Sequence, residues 1–169
     1  MPKDNISKEI ESKFGNQLRT RVNGILIEND QLLMVKHQMG NGRILWSVPG
    51  GGMQFGSNAV ANLAREFLEE TNLKVEVGKY LFVHEYLDPP LHAMEHFFEV
   101  KRINGNVKLG KDPELSATNQ ILLEISWKSV SEIKSIPKES LHQVFWGIKS
   151  IYELGLWKGY FNFENNSIK

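Results

Sequence analysis

Apolar and polar positions follow three different periods along the chain and divide it into short elements. Residues 5–14 put Ile6, Ile10 and Phe14 at i, i+4 and i+8 and end at Gly15, which predicts a short amphipathic helix with a glycine stop. Stretches 19–28 and 31–37 are aliphatic strands joined at Asn29-Asp30, a pair suited to a tight hairpin turn. A third run, 44–48, leads into Pro49-Gly50-Gly51-Gly52, where glycine density predicts the end of any regular element. From 58 to 73 the period becomes helical, with Val60, Leu63, Ala64, Phe67, Leu68 and Thr71 expected on one side and Ser57 or Asn58 as the N-cap. Runs 74–86, 93–101 and 120–129 read as strands, with a turn at Asn104-Gly105. A last helix is expected over 139–154, entered just after Pro137.

Strands outnumber helices without strict strand–helix alternation, so the expected class is α/β with a mixed sheet and helices packed on it. The 169 residues suit one core, and neither a repeat nor a low-complexity linker divides them. The expected organisation is a helical segment, 1–18, leading a domain, 19–169. That segment is expected to dock on its own domain or on a partner, and a homodimer is a separate expectation.

Charge and composition narrow the chemistry. Twenty Lys plus Arg balance twenty Asp plus Glu, so no global field exists to hold a nucleic-acid polymer, and an anionic ligand has to be met locally. The absence of cysteine excludes disulfides, thiolate nucleophiles and Cys-ligated metals. Apolar runs reach only about five residues against the roughly 20 that span a bilayer, and the first residues are too charged for a signal peptide. The expectation is a soluble cytoplasmic protein with no membrane partner.

On the helix over 58–73, Glu66, Glu69 and Glu70 fall within an arc of roughly 100°, facing away from the apolar stripe. An ordinary solvated face with Arg65 paired to Glu69 explains one glutamate, but like charges at i+3 and i+4 repel. A divalent cation removes that repulsion, and carboxylate oxygens suit Mg²⁺ or Mn²⁺. The glycine turn just upstream exposes backbone amides that can receive phosphate oxygens near the same cation.

Residues 51–73, GGMQFGSNAVANLAREFLEETNL, resemble the Nudix box, G-x5-E-x7-R-E-U-x-E-E-x-G-U, where U is a bulky aliphatic. Gly51, Arg65, Glu66, Phe67, Glu69, Glu70 and Leu73 fall at matching positions, and LWSVPGGG ahead of the box is also similar to the family. Ser57 stands where the family has Glu, and Asn72 where it has Gly; Asn accepts the left-handed conformation next best after Gly. The resemblance implies a Nudix-like α/β/α sandwich that hydrolyses a nucleoside diphosphate linked to another group: a nucleoside triphosphate, ADP-ribose, an NDP-sugar or a dinucleoside polyphosphate. It implies Mg²⁺ or Mn²⁺ held by Glu66, Glu69 and Glu70, with Arg65 holding the carboxylates in place and Gly50, Gly51 and Gly52 letting the chain pass close to the diphosphate. The alternative is a Nudix-like module that senses a nucleotide without cleaving it.

Other residues enter as candidates. Arg21 and Lys36 can offset phosphate charge, Trp46 can stack on a base, and Glu95, Glu114 and Glu124 can supply a further ligand or base. Gly51, four residues and Gly56 imitate a P-loop, but Ser57 follows where the phosphate-binding lysine is needed. His92-Ala93-Met94-Glu95-His96 matches the H-x-x-E-H string of inverted zincins. On a strand, which FFEVKRING downstream favours, its histidines lie roughly 13 Å apart at about 3.3 Å per residue, too far to share a zinc ion.

Overall fold

The computed structural model describes residues 2–162; residues 163–169, the end of the expected domain, lie outside the described residues. In chain order the elements are α1 (Asn5–Phe14), β1 (Gln17–Ile25), β2 (Ile27–Glu28), β3 (Gln31–Gln38), β4 (Ile44–Ser47), β5 (Gly50–Gly52), α2 (Ala59–Thr71), β6 (Lys74–Asp88), β7 (Leu91–Asn104), β8 (Leu122–Lys128), α3 (Val130–Ser135) and β9 (Gly159–Phe161). The strands divide between two sheets. One is mixed, in the order β5-β1-β7-β6-β9, with β1–β7 and β6–β9 parallel; the other is antiparallel, with β3 between β4 and β8 and with β2 at its turn. No helix among the described residues is long and apolar enough to cross a membrane.

Local chemistry sets the elements as expected at several points. Asn29 and Asp30 both take positive φ, 50° and 60°, the conformation of a two-residue turn whose twist matches its strands. Asn58 caps α2 by accepting from the Ala61 N–H at 2.9 Å, and Asn72 ends it in the left-handed conformation at φ 62°. The last carbonyls of α2 do not face solvent: Lys108 N–H donates to Thr71 O at 3.0 Å and Gly110 N–H to Glu70 O at 2.9 Å, so the loop after β7 seals the helix end.

Alternation along the central strands builds two cores. Val22, Leu26 and Leu33 pack with Leu63 and Phe67 of α2, while Ile25, Leu32 and Met34 pack with Val144, Phe145, Ile148 and Leu154 of the C-terminal segment. At Gly24 the helix comes close to the sheet, since a Cβ there would lie 2.4 Å from the Phe67 ring.

Three expectations are corrected. The glycines do not end regular structure: Gly50–Gly52 pair antiparallel with β1, and a Cβ on Gly50 would lie 2.2 Å from Val22 O, so the missing side chains permit the pairing. The last helix is instead α3 followed by three 3₁₀ turns, Lys138–Ser140, Gln143–Phe145 and Ile151–Gly155, because Gly147 takes φ 68° and the apolar residues there follow the core surface, not one helix face. On α2 the buried stripe is Leu63, Phe67 and Thr71, whereas Val60 and Leu68 are exposed and Glu66 and Glu70 are buried.

Candidate active site

Helical spacing sets Glu66, Glu69 and Glu70 on one side of α2, and the packing of α2 against β5 turns that side into a cleft. Arg65 donates to Glu66 Oε1 and to Glu69 Oε2, each at 2.8 Å, so one guanidinium orients two carboxylates. Glu70 Oε2 accepts the Gly50 N–H at 3.0 Å, and Glu70 Oε1 lies 4.0 Å from His37 Nε2. Gly51 is required beside them, since a Cβ would stand 2.3 Å from the Glu66 carboxyl carbon. Burial, and next the charge of Glu70, push the Glu66 carboxyl up to about 7 despite Arg65 and Arg21. Glu66 and Glu70 are buried and near enough for the charge of one to act on the other, an oxygen donor set short of positive charge, and such a set fits a small divalent cation.

A third buried carboxylate, Glu95, lies across β1. Glu95 Oε2 takes His84 Nδ1 at 3.1 Å and His142 Nε2 at 2.7 Å, and Glu95 Oε1 lies 3.6 Å from Arg21 Nε. Burial works against its charge, but the two histidines and Arg21 prevail and hold the carboxyl well below the usual range. The ligand atoms of His84, Glu95 and His142 lie within 4.8 Å of one another, as in a metal site. The hydrogen bonds argue otherwise. His142 Nδ1 accepts the Val144 N–H at 3.2 Å, so the ring proton sits on Nε2, where it is donated to Glu95 and leaves no lone pair for an ion.

Both carboxylate groups open on one cleft of about 960 Å³, its mouth included. Its polar walls carry Arg19, Arg21, Arg65 and the glutamates; Phe14, Leu45, Leu91 and Ile121 line apolar parts. Of the sequence candidates, Gly50, Gly51, Gly52, Arg21, Glu95, Glu114 and His92 line it. Trp46 does not: it is 7% exposed, in the core, with the Lys128 ammonium 4.2 Å from its ring centroid. Lys36 and Glu124 face each other at 3.7 Å on neighbouring strands, away from the cleft lining. His92 and His96 are both on β7 and do not share an ion, as His92 bonds Glu85 at 2.8 Å and His96 bonds the Tyr80 hydroxyl at 3.0 Å. His37, His84, His142 and Arg19 carried no local signal, because each reaches the site from an element remote in sequence from the box.

The family model of the NUDIX domain matches residues 17–145. The chain belongs to the Nudix family. A curated relative, the ADP-ribose pyrophosphatase of Methanocaldococcus jannaschii, is 29% identical over 93 residues, 54% of this chain and 55% of that protein. The chain thus spans about half the length of that relative. Two solved structures share the fold: a NUDIX hydrolase from Nitrosomonas europaea, with TM-score 0.65, 15% identity and coverage of 76% of this chain and 84% of that one, and an ADP-ribose pyrophosphatase from Streptococcus suis, with TM-score 0.58, 17% identity and coverage of 85% and 98%. Within this Nudix chain, Ser57 is exposed, its carbonyl accepting from Asn62 Nδ2 at 2.9 Å and its N–H donating to Gln54 O at 3.2 Å.

Proposed function

We propose that this chain is a Nudix-type pyrophosphohydrolase, cleaving the diphosphate linkage of a nucleoside diphosphate joined to another group, with Mg²⁺ or Mn²⁺ as cofactor. The observation that carries the reading is the meeting of the buried Glu66 and Glu70 and the half-buried Glu69 with arginines in one cleft over a strand of bare glycines. Glu66, Glu69 and Glu70 would hold the cation, and Arg65 keeps two of them aimed. When bound, such an ion neutralises charge on phosphate oxygens and makes a ligated water more acidic. Arg21, braced by Glu95, offers positive charge to the diphosphate. Gly51 and Gly52 let phosphate oxygens approach the backbone. Residues 1–18 serve as a wall of the site in the domain 19–169.

Among these substrates ADP-ribose comes first, because the curated relative is an ADP-ribose pyrophosphatase, followed by NDP-sugars, nucleoside triphosphates and dinucleoside polyphosphates. The test is a screen of these compounds with Mg²⁺ or Mn²⁺, read as released phosphate or nucleoside monophosphate. Turnover that EDTA abolishes and either ion restores is expected, and full activity in EDTA would defeat the mechanism. The exposed Ser57 in place of the box glutamate favours a second reading, a nucleotide-binding module; binding of these compounds without any cleavage would select it.

A further inference from the structure

We propose that Arg19, backed by Phe14 of α1, is the residue that binds a phosphate of the substrate next to the box glutamates. The inference rests on the diphosphate reading of the cleft and adds a residue that the box motif does not contain.

The chain has five arginines, at 19, 21, 43, 65 and 102. Arg21 faces Glu95, Arg43 faces Asp88, Arg65 faces Glu66 and Glu69, and Arg102 faces Glu28. Arg19 lacks such a partner: among the described residues its guanidinium makes no hydrogen bond and no ion pair. Its Cζ lies over the Phe14 ring, 4.2 Å from the centroid, a contact that uses none of its hydrogen-bond donors. Burial, then the neighbouring Arg21, lower it to about 10 against the nearby charges of Glu114, Glu95 and Asp112, so it stays a cation near neutral pH. Among the described residues none of these carboxylates forms an ion pair with it, so a partly buried cation beside a second cation keeps its donors open to an incoming anion.

Position points to the same ligand. A Cβ on Gly51 would meet the Glu66 carboxylate, and a Cβ on Gly52, the next residue, would lie 3.2 Å from Arg19 Nη2. Consecutive strand residues face opposite sides of the sheet, so Glu66 and Arg19 flank β5, the outermost strand of its sheet, from its two faces, and both line the one cleft that a diphosphate would occupy. Phe14, Arg19, Gly52 and Glu114 also line the shallow groove outside the cleft, along 53–57, so Arg19 stands where the two depressions join. A planar fork of donors free on one side suits phosphate oxygens.

Inorganic pyrophosphate in the presence of Mg²⁺, titrated calorimetrically into the full chain, is the probe. Arg19→Gln is expected to weaken its binding about tenfold or more, Arg19→Lys less, and Phe14→Leu about threefold, with far-UV circular dichroism unchanged because Arg19 bonds nothing in the fold. On a hydrolysed substrate, Arg19→Gln is expected to raise KM about tenfold while kcat stays within about threefold. Pyrophosphate binding within about twofold of wild type in Arg19→Gln, or none in the wild type, would overturn the assignment. The two readings fail separately. Loss of pyrophosphate binding in Arg19→Gln alongside a wild type that cleaves no diphosphate keeps the anion site and removes the hydrolase; cleavage with an unaffected Arg19→Gln does the reverse.

Discussion

Glu66 and Glu95 are the same residue type, in the same cleft, at 8% and 6% exposure, yet their carboxyls move in opposite directions. Burial penalises the charge on both. Glu66 shares its surroundings with Glu70 and Glu69 and has one arginine in contact, so its charge is under-compensated. Among the described residues Glu95 faces only donors, two imidazoles and a guanidinium, so its charge is already met inside the protein. Exposure alone therefore says little about a buried acid; the sign of its neighbours decides whether its charge is met inside the protein or left under-compensated.

The comparison can be broken most forcefully at the under-compensated wall. Glu70→Gln keeps the shape and an acceptor for the Gly50 N–H but removes a charge from the proposed ligand set. It is expected to lower kcat at least about a hundredfold while circular dichroism and melting temperature hold. Unchanged turnover would reduce the acidic wall to an inert surface.

At the compensated site the effect should be on stability. Every group around Glu95 donates, so the amide of Glu95→Gln must turn its NH₂ toward a donor. Thermal unfolding is expected to show a loss of about 2 kcal/mol, a melting temperature lower by several degrees, with the Mg²⁺ midpoint of activity little changed. A shifted metal midpoint with unaltered stability would make Glu95 a metal ligand and erase the contrast.

The third test uses pH. Glu66 is raised in the fold from its ordinary value near 4.5 to about 7, so the folded protein binds more protons than the unfolded chain between those values. Its contribution to stability is full below about 4.5 and is lost as pH rises through 7, at most about 3 kcal/mol. A bound cation removes that loss by favouring the ionised form. Differential scanning fluorimetry should thus show a larger stabilisation by Mg²⁺ at pH 8 than at pH 5.5; an equal shift at both would separate Glu66 from the metal site.

The smallest expected effect is at position 57. Asn58, not Ser57, caps α2, so Ser57→Glu sacrifices no cap and adds a carboxylate near the helix N-terminus, worth roughly 0.3 to 1 kcal/mol. Melting temperature should rise slightly and the Mg²⁺ concentration for half-maximal activity should fall, with substrate choice unchanged. A titration that overlays wild type would make Ser57 a neutral replacement.

What could be read without a structure is what depends on near neighbours. The box glutamates share a side of α2 because helical geometry links residues three and four apart, and the Arg65–Glu69 pair follows from the same spacing. Asn29-Asp30 and Asn72 take positive φ because their short polar side chains tolerate it. α1 could likewise be bounded, from Ile6, Ile10 and Phe14 to the glycine stop.

Tertiary packing decided the rest, since burial and charge pairing join residues remote in sequence. The same spacing that grouped the glutamates said nothing of what would cover them, and β5 and the arginines of β1 turned an apparently solvated face into a buried one. Trp46 could have stacked on a base as readily as on its neighbours, but the sheet carried it into the core. Apolar residues in 144–154 fit a helix on paper, yet Gly147 and the shape of the core folded them into separate turns. Glu95 became a satisfied anion only when β6, β7 and the segment at His142 met, a contact that no periodicity along one strand encodes.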